Sequence, residues 1–125
     1  MRRTGSEPTD DLEVHARRLI DRLSGVNVAW YAARPIGDSA TRAQLLRELV
    51  TELAELGRAA GTGAPPEAVP PVLGDHALPD QVAVLVADLI AATRATPTIP
   101  TTHSQSAASQ ATAALIHCYG RLWGT

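Results

Sequence analysis

Residues 38–60 have the sequence DSATRAQLLRELVTELAELGRAA, and this stretch decides the fold class. Its leucines recur at intervals of three and four positions, which places them along one face of an α-helix. Asp38 or Ser39 is a suitable N-cap, and Gly61 is a typical residue to follow the last helical turn. We therefore predict a helix that ends at about Ala60. Its apolar face consists of Leu45, Leu46, Leu49, Val50, Leu53, Leu56 and Ala60.

A second helical pattern precedes this stretch. Asp10 and Glu13 form a variant of the capping box, and Pro35 closes the segment. Gly25 interrupts the pattern at a cost of about 1 kcal/mol relative to alanine. We favour one continuous or kinked helix across Gly25. The alternative is a helix that ends at Ser24 and Gly25, followed by a short strand over residues 26–30. The apolar positions, spaced by four and three, are Leu12, Ala16, Leu19, Leu23, Val26, Trp30 and Ala33.

The carboxy-terminal half of the chain contains two more predicted helices. One runs from Pro79 to about Thr96, and the other runs from about Ser104 to Leu122. The segment 82–92 is apolar on nearly every side, which is typical of a buried helix. Its β-branched valines also suit a buried strand, but the chain offers no second convincing strand to pair with it.

The complete pattern predicts an all-α protein. We expect a small antiparallel four-helix bundle with a long Pro-rich connection between helices 2 and 3. That connection covers residues 62–78 and contains four prolines, which favour an extended strap lying on the bundle. The length of 125 residues suits one domain, so we predict a single domain over residues 10–125 and a flexible tail over residues 1–9.

Composition excludes several classes of function. The net charge is −2, which argues against a nucleic-acid-binding surface. No apolar run approaches the ~20 residues of a membrane span, and no apolar segment follows the first arginines as in a signal peptide. One cysteine excludes an internal disulfide and a thiolate zinc site. All 11 basic residues are arginine, which we interpret as GC-rich bacterial codon usage. We expect a cytoplasmic protein with no cofactor, no metal, no nucleic-acid partner and no membrane partner.

Charge is divided unevenly along the chain. Residues 1–60 carry 18 charged side chains, whereas residues 61–125 carry six. The outer faces of the last two helices are therefore poor in ionic groups, and exposed apolar faces usually mark interfaces. We predict a homodimer or higher oligomer, and a self-associating interaction or accessory protein without an evident catalytic site. The same hypothesis includes a further protein partner. The alternative is a monomer in which the Pro-rich strap covers the third predicted helix. The predicted interface residues are Val82, Val84, Leu85, Ala87, Ala91, Ala107, Ala111 and Ala114.

The alternative function is the binding of a small molecule. If the first and last helices pack antiparallel, Trp30 lies near the start of the last helix, where small side chains leave room for a pocket. The predicted pocket residues are Trp30, Tyr31, Asp88 and Ala108.

A third hypothesis comes from a resemblance. The segment Arg47–Leu56, with the sequence RELVTELAEL, resembles the all-α nucleotide pyrophosphohydrolases, which place an E-x-x-E pair on one helix and a second acidic pair on the next long helix. Glu52 and Glu55 match the first pair. The resemblance implies a dimeric, Mg²⁺-dependent enzyme. The next predicted helix departs from the pattern, because it offers only Asp80 and Asp88, eight positions apart. The competing interpretation is a water-exposed acidic face that contains Glu48, Glu52 and Glu55.

No catalytic residue follows from the remaining side chains. His15, His76, His103 and His117 form no H-x-x-x-H pair, so no metal site is indicated. Cys118 lies on the apolar face of the last helix, where we expect a buried and unreactive thiol.

Overall fold

The protein is all-helical in the parts of the chain that the structure, a computed structural model, describes: residues 8–61, 74–95 and 102–123. No strand occurs in these ranges, which confirms the predicted fold class. A single 3₁₀ turn, Asp75–Ala77, leads directly into the fourth helix. The helices are α1 (Pro8–Leu23), α2 (Val28–Ala32), α3 (Arg42–Ala60), α4 (Leu78–Arg94) and α5 (Thr102–Trp123).

The first predicted helix is in fact two helices. α1 ends at Leu23, and the Asn27 side chain accepts a hydrogen bond from the Trp30 amide at 3.0 Å, which caps a new helix, α2. The preference for one helix across Gly25 is therefore wrong. The alternative is correct that the first helix ends there and wrong about the strand. α1 also begins at Pro8, inside the predicted flexible tail, and residues 1–7 lie outside the described ranges.

α3 begins later than predicted and ends where predicted. Thr41 and Gln44 form a reciprocal capping box, with hydrogen bonds of 3.2 Å and 2.8 Å, and this pairing starts the helix at Arg42. At the other end, Gly61 adopts the left-handed conformation with φ +97°, which glycine enters without steric strain.

The direction of α1 is given by its two neighbours. Arg22, near the end of α1, donates a 2.8 Å hydrogen bond to Tyr119, near the end of α5, so these helices run in the same direction. Asp10, near the start of α1, lies 3.6 Å from Arg94 at the end of α4. α1 and α4 are therefore antiparallel.

The contacts of α3 complete the arrangement. Arg42, at its start, donates a 3.0 Å hydrogen bond to the carbonyl of Leu122 at the end of α5, so α3 and α5 are antiparallel. Arg47 forms an ion pair with Asp75, directly before α4, so α3 and α4 start at the same end. Of the neighbouring helix pairs, α1 with α4 and α3 with α5 are antiparallel, as expected. The pairs α1 with α5 and α3 with α4 are parallel, which differs from the expected arrangement.

This topology places α4 and α5 apart. Each of them packs mainly against α1 and α3, and less against the other. Residues 61 and 74 lie at opposite ends of the molecule, and the predicted proline strap between them falls outside the described residues. The shared core is built from the predicted apolar faces; its fully buried large side chains are Leu12, Leu19, Leu23, Leu46, Leu53, Leu78, Val82, Leu89, Leu115 and Leu122.

Candidate functional site

All four aromatic residues of the chain meet at one end of the molecule, here called the tryptophan end. The rings are those of Trp30, Tyr31, Tyr119 and Trp123. The ring centroids of Trp30 and Trp123 lie 5.2 Å apart, and those of Tyr119 and Trp123 lie 4.8 Å apart. These are ordinary distances for packed aromatic pairs, so the rings themselves fill the space between α2 and α5.

Two arginines lie on the faces of these rings. The guanidinium of Arg22 lies 4.4 Å from the centroid of the Trp123 ring while it donates to the hydroxyl of Tyr119. The guanidinium of Arg42 lies 5.0 Å from the Trp30 centroid and also bonds the carbonyl of Leu122. That carbonyl is among the last four of α5, which lack partners within the helix. The arginines thus join α1, α2 and α3 to the end of α5.

A third arginine ties the loop before α3 to α5. Arg121 makes two hydrogen bonds of 3.0 Å to the carboxylate of Asp38, whose side chain is only 14% exposed. These bonds, followed by one from the Ala40 amide, lower the pKa of Asp38 below its usual range. Arg121 also lies 3.8 Å from Glu48 on α3. The tryptophan end is therefore held by planar, charge-assisted contacts.

The predicted ligand pocket is not assembled. Trp30 and Tyr31 are in edge-to-face contact, but Asp88 is exposed on α4. Ala108 is fully buried on α5, fifteen residues before Trp123 and so about 22 Å away along the helix. The physical reason is direction: α5 runs parallel to α1, so Trp30 meets the end of α5 and not its start.

The sequence-based prediction missed Arg22, Arg42 and Trp123. Two aromatics lie near residue 30 and two near residue 120, and this pairing was visible in the sequence. The two pairs can be brought together only if the direction of α5 is known, and a periodic sequence pattern does not indicate the direction of a helix.

The predicted interface residues divide into two groups. Val82, Ala107 and Ala111 are buried inside the molecule and so lie on no surface, which corrects their assignment. Leu85 and Ala114 are partly buried. Val84, Ala87 and Ala91 are exposed, all on α4. Because α4 and α5 pack mainly against other helices, their outer faces do not form the single surface that we expected.

The exposed face of α4 has a regular pattern, here called the α4 stripe. Its five residues are spaced by four, three, four and three positions, the interval that keeps side chains on one helical face. The middle of the stripe is small and apolar, and its two ends carry opposite charges. Val84, in the middle, is 58% exposed. The stripe consists of Asp80, Val84, Ala87, Ala91 and Arg94, all exposed.

A shallow groove runs beside the α4 stripe. It lies between α1 and α4 and has a volume of about 280 Å³. Ala87 belongs to both the groove and the stripe, so the exposed apolar surface of α4 continues toward α1. The groove is lined by Glu13, Ala16, Arg17, Ile20, Ala83, Val86, Ala87 and Ile90.

The acidic residues of α3 face solvent. Glu48, Glu52 and Glu55 are exposed. Together with Gln44, Arg47 and Thr51 they line a shallow surface depression. Among the described residues, no group of three or more histidine, cysteine or carboxylate side chains is placed to hold a metal ion. The resemblance to the pyrophosphohydrolases therefore gains no metal-binding geometry from the described part of the chain.

Cys118 is buried, and its Sγ lies 3.9 Å from the carbonyl oxygen of Leu45. Burial raises the pKa of this thiol to about 12, so it is not a nucleophile at neutral pH. His76 and His117 are exposed, His15 is partly buried, and the side chain of His103 lies outside the described residues.

Comparison with known proteins gives no assignment. No helix of the described segments is long and apolar enough to cross a membrane. Protein-family models, curated proteins and solved structures yield no match to this chain.

Proposed function

We propose that this all-helical protein is a self-associating interaction module, an accessory or assembly subunit whose α4 stripe binds a second copy of the chain. One observation carries the proposal: the middle of the stripe, Val84, Ala87 and Ala91, is apolar and exposed on a regular helix. An exposed apolar surface that continues into a neighbouring groove favours association.

The size of the side chains supports the same conclusion. Alanine at positions 87 and 91 lets another helix approach closely, since interaxial distances of about 8–10 Å depend on the side chains at the contact. The charged residues Asp80 and Arg94 lie at the ends of the stripe, and the exposed Asp88 lies beside its middle. An apolar centre with a charged rim is typical of protein interfaces.

A matched pair of variants tests the proposal. Val84 on α4 is 58% exposed and Ile116 on α5 is 50% exposed, so both are accessible apolar residues on different helices. Val84→Glu places a charge in the proposed contact, whereas Ile116→Glu places it outside. Sedimentation velocity at micromolar concentrations measures the mass of each variant.

We expect the wild type and Ile116→Glu to sediment at twice the 13.2 kDa of the chain, and Val84→Glu to sediment as a monomer. A wild type that stays monomeric at all concentrations contradicts the proposal. Dissociation by Ile116→Glu with no effect of Val84→Glu contradicts it as well, because the contact would then lie on α5. Circular dichroism verifies that each variant is folded.

A further inference from the structure

One turn at the tryptophan end projects an isoleucine into solvent. It covers residues 35–38 and is here called the Ile36 turn. The amide of Asp38 donates a 3.1 Å hydrogen bond to the carbonyl of Pro35, and Gly37 has φ +82°, so the chain reverses tightly around Ile36. The side chain of Ile36 is 99% exposed, and it therefore makes almost no contact with its own chain.

The Ile36 turn is anchored on both sides. Pro35 is buried, and the carboxylate of Asp38 accepts two 3.0 Å hydrogen bonds from Arg121 on α5. Just outside the turn, the amide of Arg42 donates a 2.9 Å hydrogen bond to the carbonyl of Ala33. The backbone that carries the isoleucine is therefore fixed before any contact forms, which reduces the entropy lost on binding.

A second projecting aliphatic side chain lies on α2, in the same segment of the chain. Val28 is 76% exposed, and the alanines at positions 29, 32 and 33 are exposed as well. Residues 25–37 contain a single charged side chain, that of Arg34. The segment therefore exposes an apolar surface and not one isolated side chain, and such a surface marks a site of interaction.

Arg34 determines the charge of this surface. It is exposed, two residues before Ile36, and its side chain forms no ion pair or hydrogen bond with the described residues. The carboxylate of Asp38, two residues after Ile36, is already compensated by Arg121. The exposed charged residues on the neighbouring parts of α1, α3 and α4 are of both signs and lie outside the segment; they are Arg18, Asp21, Arg22, Glu48 and Asp80.

We propose that the Ile36 turn and α2 bind a phospholipid surface, in which Ile36 and Val28 enter the apolar layer below the headgroups and Arg34 binds a headgroup phosphate. A bilayer surrounds separate projecting side chains without a matching pocket, whereas a protein partner must supply a pocket for each of them. A guanidinium matches the geometry of a phosphate, to which it donates two parallel hydrogen bonds. The apolar area that enters the membrane and the attraction between charges both contribute to such binding.

The aromatic residues favour the same partner. Trp30 and Trp123 are partly exposed at this end, and indole rings, which have an apolar body and a polar edge, are typical of the headgroup region of membranes. The prediction of no membrane partner rests on the lack of an apolar span, and a peripheral contact needs no span. The contact uses no residue of the α4 stripe, so it is independent of the proposed self-association.

Co-flotation with vesicles tests the proposal. Purified protein is mixed with vesicles of equimolar phosphatidylcholine and phosphatidylserine, and the fraction that floats with the lipid is measured as a function of lipid concentration. We expect the wild type to float. We expect Ile36→Ser to lower the partition coefficient by about tenfold or more, because the burial of an isoleucine side chain is lost. Arg34→Gln should lower it about fivefold, since an arginine near an anionic membrane surface strengthens binding by about this factor.

Ile116→Ser is the matched control. Ile116 is 50% exposed on α5, outside the proposed contact, and we expect this variant to keep the partition coefficient of the wild type. Because Ile36 contacts almost nothing in the folded chain, Ile36→Ser should keep the circular dichroism spectrum and the unfolding midpoint of the wild type. A wild type that does not float overturns the proposal and leaves a protein with a matching pocket as the partner of the turn. Equal partition coefficients of Ile36→Ser and Ile116→Ser overturn it as well, because binding would then not depend on the turn.

Discussion

Replacement of Trp123 by alanine tests how the tryptophan end is held together. The ring is in contact with the rings of Trp30 and Tyr119, and the Arg22 guanidinium lies 4.4 Å from its centroid. Each aromatic pair contributes about 0.5–1.5 kcal/mol beyond the area that it buries. The exposed cation–π contact contributes about 0.5–1 kcal/mol. These contacts alone account for about 1.5–4 kcal/mol.

Loss of the buried area of the ring adds to this value, so we expect Trp123→Ala to lower the free energy of unfolding by about 3–5 kcal/mol. Urea titration followed by far-UV circular dichroism measures the change. Ile116→Ala on the same helix is the control; because Ile116 is half-exposed, we expect it to lose less than about 1 kcal/mol. All proteins are compared at one concentration, since self-association makes the transition midpoint depend on it. A loss below about 1 kcal/mol for Trp123→Ala would show that the ring contacts do not hold the tryptophan end together.

Three other predictions concern individual contacts. Hydrogen bonds from Arg121 lower the pKa of Asp38, so the stability that this carboxylate provides is full above about pH 5 and is lost as the pH falls below about 4. Denaturation of Asp38→Asn and of the wild type across this range should show that the difference between their free energies of unfolding shrinks toward acid pH. A constant difference would contradict the pairing of Asp38 with Arg121. Because the pKa of Cys118 is raised to about 12, its thiol should react with a thiol reagent at pH 8 at least about 100-fold more slowly in the folded protein than in denaturant. Equal rates would mean that the thiol is accessible in the folded protein. Gly61→Ala should lower the free energy of unfolding by about 1 kcal/mol, because φ is +97° there, and a neutral effect would show that the helix does not end in this conformation.

Periodicity predicts which residues are buried. The spacing predicts that Leu46, Leu49 and Leu53 on α3 and Cys118 on α5 lie on apolar faces, and all four are buried. Such a pattern reports the angle of a side chain around the helix axis, because side chains three and four positions apart share a face. This property does not depend on the neighbours of the helix, so it is accessible from sequence.

Helix direction is a different kind of property. The apolar face of a helix has the same spacing whichever way the helix runs, so the sequence pattern of α5 fits both directions. The twelve residues 62–73 can reach about 40 Å when extended, which exceeds the length of about 28 Å of α3. α4 is therefore able to start at the same end as α3. The expected antiparallel contact of α1 with α5 failed for this reason, and with it the predicted pocket at Trp30 and Ala108.

Local competition decided the end of α1. The apolar spacing continues through Val26 and Trp30, but the Asn27 side chain caps a new helix at the Trp30 amide. For α4, the sequence pattern does not distinguish buried from exposed valines: Val82 and Val84 are both apolar, but only Val82 is buried. Exposure at these neighbouring positions depends on which helices surround α4, and a single sequence does not contain that information.

The molar mass of the wild-type protein in solution is the most direct test of the central claim that the α4 stripe binds a second copy. Static light scattering over a range of micromolar concentrations should give a mass that rises from 13.2 kDa and levels off at twice that value. The same experiment on Val84→Glu should give 13.2 kDa throughout. A wild-type mass of 13.2 kDa at every concentration would contradict the account.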